Sequence, residues 1–522
     1  MNTVLPSDCC KNYKILDCTL RDGGYYTDWD FDTRTVDEYI LAMNKLPIDY
    51  LEVGYRNNPS NEYLGKFGYT PVSVLKHLRE LSAKKLVVML NEKSTAPGDL
   101  DNLLDPIKGL ADMIRIAIDP KNFDRAVVLA EAVKSKGFEV GFNVMYMSKW
   151  QTDYEGFLDK LPAINGVADL FCMVDSFGGI TPEDITSIYK EVRSKTTCPI
   201  GFHGHNNLQL GLTNTLTAIS LGIDYVDATV LGMGRGAGNL NMELLLTYLN
   251  AHDGMQVDFN VLGDVIAAFS PLYEKYRWGT NLPYMLAGAN RIPQKEVMDW
   301  VSNRAYSFES IVRGLQNRAD NVEDNAKYPI LQEKQYDNVI IIGGGNTPLG
   351  HLQGIKSFIR TLPSVALVFA TARHAALFLD MDVPQYYCLI GREAKRLKAN
   401  VSASDYKGTC VLPPYPRKLG TDVPDYAEQS TYELSSIDFT AQYADSCTTL
   451  ALQTALNMSS KHIYVVGYDG YPGSVLSEKE VALTNENMTL FRDYAQAKGE
   501  KLVSLTPSLY PELDVESIYQ FI

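Results

Sequence analysis

The chain has 522 residues, with 48 lysines and arginines against 63 aspartates and glutamates, a formal net charge of −15. That length suits two or three domains, and the acidic balance argues against non-specific nucleic-acid binding and against adhesion to an anionic membrane. Charged residues at 21% and apolar ones at 45% are ordinary globular composition, enough to bury a core without disulfides or metals as staples.

In chain order, the opening MNTVLPSDCCKNY lacks the apolar segment of a secretory signal, and no run long enough for a membrane span follows. The eight cysteines, at 9, 10, 18, 172, 198, 388, 410 and 447, form no CxxC pair, which argues against a structural zinc site. Adjacent Cys9 and Cys10 are poor disulfide partners. A reduced, cytoplasmic protein is expected.

From 14 to 255, short apolar runs alternate with amphipathic stretches. The runs are KILDCTL (14–20), YLEVG (50–54), KLVVML (85–90), MIRIAI (113–118), EVGFNVMY (139–146), LFCMVDSFG (170–178), PIGFHGHN (199–206) and YVDATVLG (225–232). Strands buried on both faces read this way, and strand alternating with helix implies parallel βαβ units. Eight units in this length predict a closed (β/α)8 TIM barrel as the catalytic domain, an α/β fold whose site lies at the C-terminal ends of the strands. Those ends carry the polar residues: Arg21-Asp22, Glu52, Asp175-Ser176, His203-Gly204-His205-Asn206 and the glycine-rich run 232–239. A helical extension is expected over 256–318 and a charged, Asn-rich linker over 319–337. A second α/β domain with Rossmann-like layering is expected over 338–522.

His203 and His205 are two residues apart on a strand and so share a face. Two such histidines are more often incidental than ligands, but barrel closure makes strands seven, eight and one neighbours. Asp22, His203, His205 and Asn239 then converge on one patch of the rim. A carboxylate, two imidazoles and an amide oxygen suit a divalent ion, with Mn²⁺ first and Mg²⁺ or Zn²⁺ as alternatives. Arg21 is placed to clamp an enolate or 2-oxo oxygen, or to form a rim ion pair with Asp22 or Glu52. Glu52 is a candidate for orienting Arg21 or a ligand.

The stretch Leu16-Asp17-Cys18-Thr19-Leu20-Arg21-Asp22-Gly23-Gly24 resembles the opening motif of the DRE-TIM metallolyases, the HMGL-like group. HGHN and GRGAGN match that group's other two signatures. The resemblance spans about residues 14–315 and fits the 4-hydroxy-2-oxovalerate aldolases best. It implies a metal held by Asp22, His203 and His205, with Asn239 as a further ligand, and Arg21 on the enolate. It also implies an acid/base tyrosine at Tyr284, which otherwise reads as an ordinary packed tyrosine. The aldolases carry a basic histidine just after the RDG motif, where this chain has Tyr25 and Tyr26. A phenol is a poor base at neutral pH unless its pKa is lowered, so Tyr25 or a metal-bound water is left to move the proton. The reactive cysteine of the related 3-hydroxy-3-methylglutaryl-CoA lyases is missing from GMGRGAGN.

The expected activity is therefore metal-dependent cleavage or formation of the C3–C4 bond of a 2-oxo-4-hydroxy acid through a pyruvate-like enolate. A Claisen-type acyl-CoA synthase and a non-catalytic ligand-binding scaffold are the alternatives, and a homo-oligomer would be in keeping with either enzyme. In the second domain, Gly343-Gly344-Gly345-Asn346-Thr347-Pro348 follows a strand and reads as a phosphate-accepting turn or as a plain tight turn. GGGNTPLG and DSCTTLALQTAL…HIYVVGYDG resemble the Rossmann-like domain of motility accessory factors and some bacterial sialyltransferases. That resemblance implies a nucleotide or nucleotide sugar, with Gly344, Asn346 and Asp469 as contacts. Asp469 reads alternatively as a turn cap, and Cys447 as a buried cysteine at a helix start.

Overall fold

A computed structural model describes residues 12–61, 63–302, 308–322, 326–332, 334–417, 422–458, 461–473 and 476–522. Cys9 and Cys10 lie outside the described residues. The chain divides into two compact units, Met1–Met298 and Asp299–Ile522. Among the described residues no helix is long and apolar enough to cross a membrane.

The first unit is a closed barrel of eight parallel strands in sequence order: β1 (Lys14–Asp17), β2 (Tyr50–Tyr55), β3 (Lys85–Asn91), β4 (Met113–Ile118), β5 (Glu139–Val144), β6 (Leu170–Asp175), β7 (Ile200–Gly204) and β8 (Tyr225–Ala228). It closes through β1 and β8, with Leu16 opposite Asp227 and Asp17 opposite Ala228. Outward residues such as Ile15, Leu51, Val88, Ile114 and Val140 pack with the surrounding helices into one large core. Inward residues follow the period of two. Leu16, Tyr50, Val87, Met113, Leu170, Cys172 and Tyr225 fill the floor of the barrel. Two residues further along their strands, Glu52, Arg115 and Asp227 form a buried charged layer above that floor.

Several strands are shorter than the apolar runs suggest. The run 14–20 is strand only to Asp17, and Thr19–Thr27 is a helix, α1, that carries Arg21 and Asp22 in its first turn. The reason is local. The Asp17 carboxylate accepts from the Thr19 amide at 2.9 Å and the Thr19 hydroxyl at 2.8 Å, turning the chain. Thr19 and Leu20 stay fully buried after the turn, so hydropathy does not register it. Likewise β7 ends at Gly204, and His205 is held beyond it by an antiparallel bridge to Asn239.

After the barrel come helices Phe259–Tyr276, Leu282–Ala289 and Gln294–Ser302, and in the second unit Phe308–Ala319. Part of the stretch read as a linker is docked on the second unit. Leu331 N–H donates to the Glu433 carbonyl at 2.8 Å, and Tyr328 N–H donates to the Glu433 carboxylate at 3.0 Å.

The second unit is an eight-stranded sheet, parallel throughout, built from β9 (Asn338–Ile342), β10 (Val365–Phe369), β11 (Gln385–Cys388), β12 (Thr409–Leu412), β13 (Thr431–Glu433), β14 (His462–Val466), β15 (Val503–Ser504) and β16 (Asp514–Val515). Its order is β13-β12-β11-β10-β9-β14-β15-β16, so the direction of winding reverses between β9 and β14. Alternate residues of β9 enter two different cores, Val339 and Ile341 on one face and Ile340 and Ile342 on the other. A sheet apolar on both faces is what a parallel, doubly covered architecture requires.

Candidate active site

The buried charged layer of the barrel leads directly to the rim. Arg115 is wholly buried and lies 2.9 Å from the Asp227 carboxylate and 3.5 Å from that of Glu52. Its Nε donates to Asn143 Oδ1 at 2.5 Å. Glu52 in turn accepts from Arg21 Nε at 2.9 Å, and Arg21 also binds Asp22 at 2.6 Å. Asp227 accepts at 2.9 Å from His203 Nδ1, whose Nε2 lies 3.5 Å from Asp22 Oδ2. Arg21, Asp22, His203, Asp227, Arg115 and Glu52 thus form one closed ionic ring. It contains three carboxylates and two guanidiniums, so with a neutral imidazole one negative charge has no counterpart.

The imidazoles are oriented from behind. His203 Nδ1 faces Asp227, and His205 Nδ1 donates to the Asp175 carbonyl at 2.8 Å. Each ring then presents Nε2, the tautomer a metal ligand needs. Burial, with the neighbouring His203, pushes the His205 pKa down to about 3, so this ring is neutral. Burial lowers the His203 pKa too, but Asp22 and Asp227 outweigh it and hold it above the ordinary value. Burial alone would raise the Asp22 carboxyl; Arg21, then His203, reverse that and hold it well below the usual range.

Ligand atoms of Asp22, His203 and His205 all lie within 4.8 Å of one another, and the three side chains are buried. Asn239 completes the patch. Its Nδ2 donates to Asp22 Oδ2 at 2.5 Å, while its Oδ1 is buried without a donor, as are Glu52 Oε1 and Asp227 Oδ1. Buried acceptors without donors are costly; the Asn239 oxygen beside the Asp22 carboxylate and two imidazoles fixed through Nδ1 suits a cation, which would take the place of the proton that Asp22 and Asp227 favour on His203. The glycine-rich loop makes the approach of Asn239 possible. Gly238 has φ +77°, and a Cβ there would sit 2.2 Å from the Gly232 carbonyl.

Tyr25 reaches the rim on α1, its hydroxyl 3.3 Å from that of Tyr55 at the end of β2, with the Arg235 guanidinium 5.1 Å above its ring. Tyr284 is buried in the helix Leu282–Ala289. A Cβ on Gly236 would lie 3.5 Å from its ring, and it neighbours Tyr26, whose phenol burial and Tyr284 push up in pKa.

Sequence reasoning missed Asp227, Arg115, Asn143, Asp175 as the His205 acceptor, and Tyr55. A signal was present for two of them. Arg115 in MIRIAI and Asp227 in YVDATVLG are charges inside otherwise buried strands, and such charges must be paired.

In the second unit, Gly344, Asn346 and Asp469 do come together, at a cavity of about 770 Å³. The turn is not free for a phosphate, however. Asp469 Oδ2 accepts from the Asn346 amide at 2.6 Å and the Thr347 amide at 2.9 Å, and Oδ1 accepts from the Thr347 hydroxyl. A carboxylate of the chain itself occupies the anion position, which favours the alternative reading of Asp469 as a turn cap. Arg373, Arg392 and Arg396 line the same cavity.

A family model described as HMGL-like matches residues 114–266. The chain is 27% identical over 243 residues to an oxaloacetate decarboxylase of Mycobacterium tuberculosis, covering 45% of this chain and 69% of that one. It is 29% identical over 245 residues to a 4-hydroxy-2-oxovalerate aldolase of Carboxydothermus hydrogenoformans, covering 46% and 71%. Among solved structures, the N-terminal domain of a candidate aldolase from Bacteroides vulgatus is 72% identical, with a TM-score of 0.55, covering 57% of this chain and 99% of that one.

Proposed function

The chain belongs to the HMGL-like family, and from that premise we propose that it is a divalent-metal-dependent carbon–carbon lyase acting on small 2-oxo acids. The observation that carries this reading is the donor set. Two imidazoles, each fixed through Nδ1, turn Nε2 toward the Asp22 carboxylate beside an unpartnered Asn239 oxygen. Asp22, His203 and His205 would hold the ion, with Asn239 Oδ1 as a further ligand and Mn²⁺ the first candidate. Bound there, the ion supplies a Lewis acid for the oxygens of a 2-oxo acid.

The chain's own residues do the rest. Arg21 is fixed by Glu52 and Asp22, so its charge is in position before the bond breaks and offsets the negative charge that develops on the oxo oxygen. In aldol cleavage Tyr25, its oxygen 3.3 Å from that of Tyr55, would act as its phenolate, taking the proton of the 4-hydroxyl and returning it to C3. The C3–C4 bond then breaks, giving an aldehyde and a pyruvate-like enolate that is reprotonated at C3.

A second reading is decarboxylation of a 2-oxo dicarboxylate through the same enolate. It is favoured by Tyr25 itself, since loss of CO₂ needs no base to deprotonate a hydroxyl. One experiment separates the readings: purified protein with Mn²⁺, 4-hydroxy-2-oxo acids in parallel with oxaloacetate, and pyruvate, aldehyde and CO₂ each measured. Pyruvate with aldehyde supports the aldolase and pyruvate with CO₂ the decarboxylase. Release of neither, together with thiol release from acetyl-CoA and a 2-oxo acid, would transfer the assignment to a Claisen synthase.

For the second unit we propose a nucleotide or nucleotide-sugar ligand in the 770 Å³ cavity, a size that suits such a molecule. The cavity is lined by the loops after β9 and β14, where the sheet order reverses. Its phosphates would lie on Arg373, Arg392 and Arg396, since Asp469 occupies the turn. Calorimetric titration with nucleoside diphosphates, in the natural chain and in Arg392→Ala, tests this; equal heats in both would refute it.

A further inference from the structure

The arginines of the barrel site are not alike. Arg21 is paired with Asp22 and Glu52, and Arg115 with Glu52 and Asp227. Arg56, after β2, donates to the carbonyls of Leu103 and Tyr69. Arg235 alone among these four makes neither an ion pair nor a side-chain hydrogen bond with any described residue. It is half-buried, its Nε is shielded from solvent without an acceptor, and its guanidinium rests 5.1 Å above the Tyr25 ring.

The loop directs this side chain at the site. Gly234 packs so tightly that a Cβ there would lie 2.4 Å from Asn239 Nδ2, and Gly23 on α1 leaves only 2.5 Å between a Cβ and Met233 Sδ. The two glycines press the loop against both the amide beside Asp22 and the helix that carries Arg21, Asp22 and Tyr25. The loop thereby brings Arg235 to the rim that carries the donor set, over the Tyr25 ring. A guanidinium partly removed from water with an open donor is incomplete; a carboxylate or phosphate satisfies it with charge-assisted hydrogen bonds.

We infer that Arg235 receives a second negative charge of the substrate, so that the enzyme selects 2-oxo acids bearing a carboxylate or a phosphate at the end remote from the oxo group. The inference rests on the lyase reading above and narrows its substrate class. One anionic end of the substrate would lie on Arg21 and the ion that the donor set would hold, and the other on Arg235.

The test uses the full chain with Mn²⁺ and three 4-hydroxy-2-oxo acids matched except for the far end, which is a methyl group, a carboxylate or a phosphate ester. The natural protein should favour one or both charged tails in kcat/KM by roughly 10- to 100-fold, the range of a hydrogen bond to a charged group. The two charged arms distinguish carboxylate from phosphate. In Arg235→Met the ratio of charged to neutral kcat/KM should collapse toward one, chiefly through KM, and Arg235→Lys should restore part of it. A natural protein with no preference among tails overturns the inference. So does an Arg235→Met variant that lowers kcat equally for all three and keeps the ratio, which would make the residue a packing partner of Tyr25. Failure to cleave any of the three, and oxaloacetate as well, would instead bring down the lyase reading beneath it.

Discussion

Replacing Arg115 by methionine removes the cation that lies between the buried carboxylates of Glu52 and Asp227. Arg115 is wholly buried, 2.9 Å from Asp227 and 3.5 Å from Glu52, and methionine keeps much of the stem while deleting the charge. Glu52 retains Arg21, but Asp227 is left with His203 alone. Stranding one member of a buried ion pair costs about 3–5 kcal/mol. For a unit of this size that is a fall in melting temperature of roughly 6–10 °C, at ~2 °C per kcal/mol. Thermal unfolding of the full chain, followed by calorimetry so that the transitions of the two units are seen separately, measures it. Adding Asp227→Asn to the variant removes the stranded charge and should recover a substantial part of the loss. The deficit of Arg115→Met should also shrink as pH is lowered, because a protonated carboxyl needs no counter-charge. A loss under about 1 kcal/mol, or a loss that Asp227→Asn merely adds to, would refute the view of this layer as a coupled ionic ring.

The remaining predictions concern single residues. Asp227→Asn takes the carboxylate acceptor from His203 Nδ1, and Mn²⁺ affinity measured by titration should fall about 10- to 100-fold; unchanged affinity would mean that the ring is oriented by something else. Asp17 is buried, and burial raises its pKa to about 7, so its neutral form is the one the fold favours. Its contribution to stability is full below about pH 4 and is lost as pH rises through 7, up to ~4 kcal/mol in all. Asp17→Asn should abolish that part of the pH slope, and superimposable melting-temperature profiles would contradict the assignment. Asp469→Ala leaves the Asn346 and Thr347 amides without their acceptor, and the transition of the second unit should lose about 1–3 kcal/mol.

How much of this was legible beforehand follows from what each residue does. The barrel was legible because eight buried parallel strands leave eight apolar runs, and Asp22, His203 and His205 because polar residues at strand ends interrupt them. The position of Asp22 on a helix was not, since Thr19 and Leu20 remain buried after the turn at Asp17, and burial is what a hydropathy pattern records. Asp227 and Arg115 were visible as charges in apolar strands, but their pairing depends on closure bringing β4 and β8 face to face across the barrel. The Asp175 carbonyl that fixes His205 has no side-chain signature at all. In the second unit the glycine-rich turn was correctly located, but its cap, Asp469, comes from 122 residues further along the chain, a distance no local motif spans.

The central claim is that Asp22, His203 and His205 hold one divalent ion. The most direct measurement is metal content per chain after equilibration with Mn²⁺ and removal of free ion, in the natural protein and in the variants Asp22→Asn and His205→Ala. The account predicts one ion per chain in the natural protein and almost none in either variant, with each still folded by circular dichroism. A natural protein that takes up no ion, or variants that load as fully as it does, would contradict it.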